Sequence, residues 1–225
     1  MACCNPRGCD AFFSERFARR SARRYRKHGL DRSARRIVEF LKGRGLAGAT
    51  VLEVGGGVGE IQLELLGRGA ARTVNLELSP AYEEEAARLA REAGVEARID
   101  RPLHDIAADP TEVEPVDIVV LHRVVCCYPD YELLLGAAAD HARRLLVFSH
   151  PPRNPISRSL IAAQNLGFRL LGREFRTFTH PRGGCWRCSS GAGCGPCSST
   201  AASRGTWWGS NADDRPDRHT SLGVR

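Results

Sequence analysis

Four stretches of the chain are apolar enough to be buried on both faces of a sheet: Val51–Val54, Thr73–Leu76, Asp117–Leu121 and Leu145–Phe148. Short, near-continuous apolar runs of this kind are typical of parallel strands covered by helices. Val95–Ile99 adds a fifth, shorter run. Segments with helical period separate them. Ile61–Leu66 follows the first run, and Ala81–Ala93 is rich in Ala, Glu and Arg behind a Ser79-Pro80 cap and first-turn proline. Leu133, Leu134 and Leu135 mark a further helix after the fourth strand. Strands and helices alternating through short connections predict an α/β fold, a Rossmann-like, doubly wound and mostly parallel sheet. In such sheets ligands gather at the carboxyl ends of the strands.

At the end of the first strand the pattern changes abruptly, to Glu53-Val54-Gly55-Gly56-Gly57-Val58-Gly59-Glu60. Glycines are needed where a backbone turns sharply at positive φ or must approach a ligand with no Cβ in the way. The helix that follows offers free N–H groups to an anionic or polar ligand. Eighteen residues past Gly59, the second strand ends in an acid, Glu77, whose carboxylate can accept both hydroxyls of a ribose. Strand, glycine loop, helix, strand and acid together point to an adenosine-containing cofactor. A dinucleotide fingerprint would require a third glycine where Glu60 stands.

The run from Glu53 to Gly59 resembles motif I of class I S-adenosylmethionine (SAM) methyltransferases, E/D-x-G-x-G-x-G, at each defined position. The resemblance implies that Glu53 organises the methionine end of the cofactor, that Gly55, Gly57 and Gly59 pass beneath it, and that Glu77 holds the ribose. Leu103-His104-Asp105-Ile106 is similar to the family's adenine-reading loop, which makes Asp105 the partner of the exocyclic amine and Ile106 a packing surface for the ring. The residue-level alternative is Asp105 as a turn or cap residue. His122 closes the fourth strand and His150 the fifth, both on the expected active face. Each is a candidate general base, and His122 also resembles a His that contacts cofactor or substrate in small-molecule members. A packed loop histidine is the competing reading for both.

The Asn/Asp-Pro-Pro-aromatic signature of amino-directed nucleic-acid and protein-glutamine methyltransferases is missing after the fourth strand, where Leu121-His122-Arg123-Val124 stands. Tyr128-Pro129, two basic N-terminal helices and a basic-apolar insert over Pro155–Phe178 are instead similar to the magnesium-protoporphyrin O-methyltransferases. The implied activity is methyl transfer to a small-molecule acceptor, through oxygen. A nucleic-acid methyltransferase and an inactive SAM-binding remnant are the alternatives.

Charge modifies this picture at the front of the chain. Ten Arg and Lys residues lie between Glu15 and Arg36 against two acids, and Gly29-Leu30-Asp31 divides the segment into two helical pieces. Residues 1–45 therefore read as a basic helical lid, 46–181 as the SAM-binding domain. The lid's charge suits capture of an anionic small molecule, contact with nucleic acid, or simply a solvated face written in arginine. Cys3, Cys4 and Cys9 form a cluster without an evident fourth metal ligand, so reduced thiols and no metal are expected. There is no leader of charged-then-apolar type and no apolar run of ~18 residues, which predicts a cytoplasmic protein without a membrane span.

From Arg182 the composition shifts again. Among residues 182–225 only Leu222 and Val224 are large aliphatics, and all three tryptophans lie there. Such a segment cannot build a core and is expected to be disordered. Cys185-x2-Cys188-x5-Cys194-x2-Cys197 has pairs spaced more closely than the ~15–20 residues of a zinc ribbon. A third reading is out-of-frame translation: GC-rich codons for this stretch, read one frame over, can encode an amphipathic helix followed by two strand-like runs. The sheet would then lack its last helix and closing β-hairpin.

Overall fold

The computed structural model describes residues 12–150, 155–178 and 206–211. Two N-terminal helices, α1 (Glu15–His28) and α2 (Arg32–Lys42), precede β1 (Thr50–Val54), α3 (Glu60–Gly67), β2 (Arg72–Leu76), α4 (Glu83–Glu92) and β3 (Ile99–Asp100). Then come β4 (Val116–Leu121), α5 (Tyr131–Asp140), β5 (Ala142–His150), α6 (Pro155–Leu170) and β6 (Thr206–Asn211). The strand order is β3-β2-β1-β4-β5-β6; β1 to β5 run parallel and β6 is antiparallel to β5.

The strict alternation of a strand divides each apolar run between two cores. Val51, Ile118, Val120, Leu145 and Val147 face a cluster built with α1 to α4, including Ala22, Ile37, Leu41, Ile61 and Leu65. Leu52, Val54, Val119, Leu121, Leu146 and Phe148 face the other, with Leu134, Leu135 and Ala138 of α5. Because β1 has β2 on one side and β4 on the other, the chain reverses direction across the sheet at β1, which opens a crevice beyond the carboxyl ends of β1 and β4.

The basic arm forms two helices, as expected, broken at Gly29 (φ 66°). Asp31 starts α2 as its N-cap, accepting from the Ser33 amide (2.7 Å) and the Ala34 amide (2.9 Å). The third strand differs from expectation. Glu96–Arg98 forms a 3-10 turn and only Ile99–Asp100 pairs with β2. The run from Val95 to Ile99 lacks a second apolar face to hold more of it in the sheet.

The tail differs in one place. Within the segment read as disordered, Thr206–Asn211 lies against β5 from Leu145 to His150. An edge strand presents a row of unpaired N–H and C=O groups, and a β-forming Thr-Trp-Trp segment pairs with them. A single strand therefore stands where a closing hairpin was expected to be lacking. The cysteine clusters at 3–9 and 185–197 lie outside the described residues. Among the described residues no group of three potential ligands could hold a metal, and no helix is long and apolar enough to cross a membrane.

Candidate cofactor site

The crevice at the carboxyl ends of β1 and β4 holds a cavity of about 300 Å³. Its walls come from the glycine loop, Glu53, Glu60, Glu77, Asp105, Ile106 and His122, with Phe13 and Phe17 of the N-terminal arm above. All of the cofactor residues expected from sequence therefore line it except Gly59, which caps the start of α3; His150, the second candidate base, is the last residue of β5.

The loop keeps the shape the glycines allow. Gly55, Gly57 and Gly59 have φ of 66°, 58° and 82°. Gly56 has ordinary φ but no spare room: a Cβ there would stand 2.5 Å from Asn75 Oδ1 and 2.6 Å from the Glu53 carboxyl carbon. Four groups fix the loop from outside. The Gly56 amide donates to Asn75 Oδ1 (2.8 Å) and the Gly57 amide to Glu77 Oε2 (2.9 Å). The Gly57 carbonyl accepts from Arg101 (2.7 Å), whose guanidinium also donates to Gln62 and Glu83. Gly55 N–H donates to the Leu76 carbonyl (2.7 Å).

Glu53 is 2% exposed, and its Oε2 has no hydrogen-bond partner. Burial, reinforced by the negative charge of Glu60, pushes its carboxyl up to about 8, against the pull of Arg101. The neighbouring Asn75 Nδ2 is likewise without a partner. Burial also raises Glu60, which pairs with Arg24 (3.2 Å), and Glu77, where the amides of Leu78, Gly57 and Ser79 work against it. Two buried acids, Glu53 and Glu77, and the half-buried Glu60 thus converge on one cavity. Desolvating unpaired carboxylates is costly, so a wall of this kind suits a ligand bringing positive charge and hydrogen-bond donors.

At the far end, Asp105 Oδ1 accepts from the Ala107 amide (3.0 Å), the turn geometry that sequence allowed, and Asp105 Oδ2 accepts from the Tyr128 hydroxyl (3.0 Å). Ile106 is buried beside them. His122 is held at both ring nitrogens: Nδ1 lies 2.9 Å from Ser149 Oγ and Nε2 3.3 Å from Ser33 Oγ. Ser33 donates its proton to Asp31 Oδ1 (2.6 Å), so its oxygen receives the Nε2 proton, and Nδ1 in turn accepts from Ser149. Arg123, strained at φ 62°, approaches Asp31 Oδ2 to 2.9 Å. Burial opposes ionisation of Asp31, but the nearby His122 ring, hydrogen bonds from Ser33 and Ala34 and the charge of Arg123 outweigh it and hold the carboxyl well below the usual range. The start of α2 is thereby fastened to the ends of β4 and β5.

Sequence reasoning missed Asn75, Arg101, Asp31, Ser33, Ser149 and Tyr128. Asn75 had a signal, a lone amide inside a buried apolar run. Arg101 had none.

A family model described as a methyltransferase domain matches residues 22–192. No curated protein matches the chain in sequence. Among solved structures, magnesium protoporphyrin IX methyltransferase from Synechocystis PCC 6803, with bound SAH, is similar in fold (TM-score 0.63, 18% identity) over 89% of this chain and 98% of that one. An O-methyltransferase family protein from Burkholderia thailandensis is similar at a TM-score of 0.60 and 19% identity, over 87% of this chain and 61% of its own.

Proposed function

The chain belongs to the methyltransferase-domain family, its cofactor is SAM, and from that premise we propose that it methylates an oxygen atom of a small-molecule acceptor. The observation that carries the cofactor assignment is the orphaned Glu53 Oε2 on the cavity wall, beneath a glycine loop whose next strand leads into Glu77. SAM supplies a sulfonium-bound methyl group together with an amino group, a ribose and an adenine, and these chemistries match that wall in order.

In this reading Glu53 accepts from the cofactor's amino group and, once paired with it, is held as the carboxylate. Gly55, Gly57 and Gly59 let the backbone run close beneath the ligand. Glu77 is held at Oε2 by the Gly57 amide and at Oε1 by the Leu78 amide and, at longer range, the Ser79 amide, which fixes the carboxylate for the ribose hydroxyls. Asp105, steadied by Tyr128, accepts from the adenine amine, and Ile106 covers the ring. Alignment is the protein's main contribution to an in-line displacement, and good orientation is worth on the order of 7–11 kcal/mol.

An oxygen acceptor must lose a proton during transfer. His122, with both ring nitrogens satisfied, acts in this closed arrangement as a wall of the cavity and an anchor of the lid. It becomes a base only when the Ser149 proton turns away from Nδ1. His150, at the end of β5, is the second candidate base, and His150→Ala tests it by loss of turnover with SAM affinity kept.

Titration calorimetry with SAM tests the cofactor site, on this chain and on one whose residues 182–225 are replaced by the alternate-frame sequence. Binding by either chain supports the reading. Tighter binding by the repaired chain is expected, since a last helix and hairpin would cover apolar surface worth about 1.5–3 kcal/mol per large side chain. Failure of both to bind would overturn it.

A further inference from the structure

Cys126 and Cys127 stand in the loop between β4 and α5, and the methyl-transfer reading gives them no task. Their sulfur atoms are 3.7 Å apart, and both lie 3.6 Å from the Arg123 carbonyl. The backbone that carries them is fixed at two points: the Cys127 amide donates to the Val124 carbonyl (2.8 Å), and the Cys126 carbonyl accepts from the Phe178 amide (2.7 Å). Cys126 is buried at 8% exposure, whereas Cys127 lines the same cavity as Glu53 and Glu77.

Two chemistries are open to neighbouring thiols. A disulfide is disfavoured on geometry: adjacent Cα atoms are about 3.8 Å apart, short of the roughly 4.4–6.8 Å that bridged cysteines adopt. Chelation fits. Two thiolates about 2.3 Å from one tetrahedral ion are about 3.8 Å from each other, so the observed separation needs almost no adjustment to grip a single atom.

We propose that Cys126 and Cys127 form a vicinal dithiol site for a thiophilic ion, a trivalent metalloid or a soft d10 cation, on the wall of the cofactor cavity. Loading releases one proton from each thiol and leaves the ion's remaining positions open to the cavity through Cys127. Only the choice of SAM as the competing ligand rests on the methyltransferase reading.

The probe is phenylarsine oxide, a trivalent arsenical that joins two thiols with loss of one water. The other seven cysteines (Cys3, Cys4, Cys9, Cys185, Cys188, Cys194 and Cys197) are first changed to Ser in the full chain, and circular dichroism checks that each variant folds. The expected result is uptake of one equivalent, reversed by a dithiol but not by a monothiol, and lost on adding either Cys126→Ser or Cys127→Ser. The loaded protein is expected to bind SAM more weakly than the unloaded one. No uptake by the folded seven-Ser protein, or uptake that survives either single change, overturns the site. Undiminished SAM affinity after loading overturns its position on the cavity wall. A protein that takes up the arsenical but binds no SAM in either state overturns the cofactor assignment instead.

Discussion

Replacing Glu53 with Gln should make the protein more stable and a poorer binder of SAM. Glu53 is buried at the end of β1 with one oxygen unpartnered, and its carboxyl is raised from 4.5 to about 8. A folded-state pKa above the unfolded one means that the contribution to stability is complete below 4.5 and is withdrawn as pH rises toward 8. The withdrawal amounts to about 1.4 kcal/mol per pH unit. At pH 7 it reaches about 3 kcal/mol, a large part of the ~5–15 kcal/mol that holds a domain together. Gln has nearly the same shape and no charge to desolvate. Urea denaturation of both proteins from pH 4.5 to 8.5 should therefore show curves that coincide at the acid end and separate steadily with pH, the variant above. In calorimetry the same variant should bind SAM roughly tenfold to a hundredfold more weakly, the loss of a charged hydrogen bond worth about 1.5–3 kcal/mol. A stability gap that stays constant from pH 5 to 8 would refute the idea that Glu53 is held in the cavity as a costly, unpaired acid.

Two further perturbations probe what surrounds it. Arg101→Met removes the donor to the Gly57 carbonyl and the cation that draws Glu53 down, so SAM binding should weaken by about 1.5–3 kcal/mol; Arg101→Lys keeps the charge but not the fork, and should recover only part of the loss. Calorimetry on the three proteins checks the order. Asp31→Ala removes the α2 cap, about 1 kcal/mol by itself, and also the contacts to Ser33, His122 and Arg123, so its cost in urea denaturation should exceed that of a cap alone. Because the Asp31 carboxyl is depressed in the folded protein, that cost should be full above the usual carboxylate range and fade progressively as pH falls below it toward the folded-state value; a cost independent of pH would separate Asp31 from these contacts.

What the sequence determined by itself is what depends on neighbours along the chain. Val51–Val54, Thr73–Leu76, Asp117–Leu121 and Leu145–Phe148 read as two-sided strands because burial on both faces leaves no polar period. Glu53, Gly55, Gly57 and Gly59 were legible because a tight turn beneath a ligand restricts residue type within seven consecutive positions. Glu77 followed from its place one strand later. Tertiary structure decided the rest. Asn75, Arg101 and Tyr128 secure the loop and Asp105 through contacts 19, 44 and 23 residues away, and no local pattern encodes such distances. The engagement of both His122 nitrogens depends on Ser33 and Ser149, 89 and 27 residues distant, and it ties the ends of β4 and β5 to the start of α2. The sulfur atoms of Cys126 and Cys127 are adjacent in sequence, yet only the fold sets them at a chelating distance beside the cavity. Likewise β6 forms because the outer edge of β5 has backbone groups to satisfy, a demand made by the assembled sheet and written nowhere in the tail.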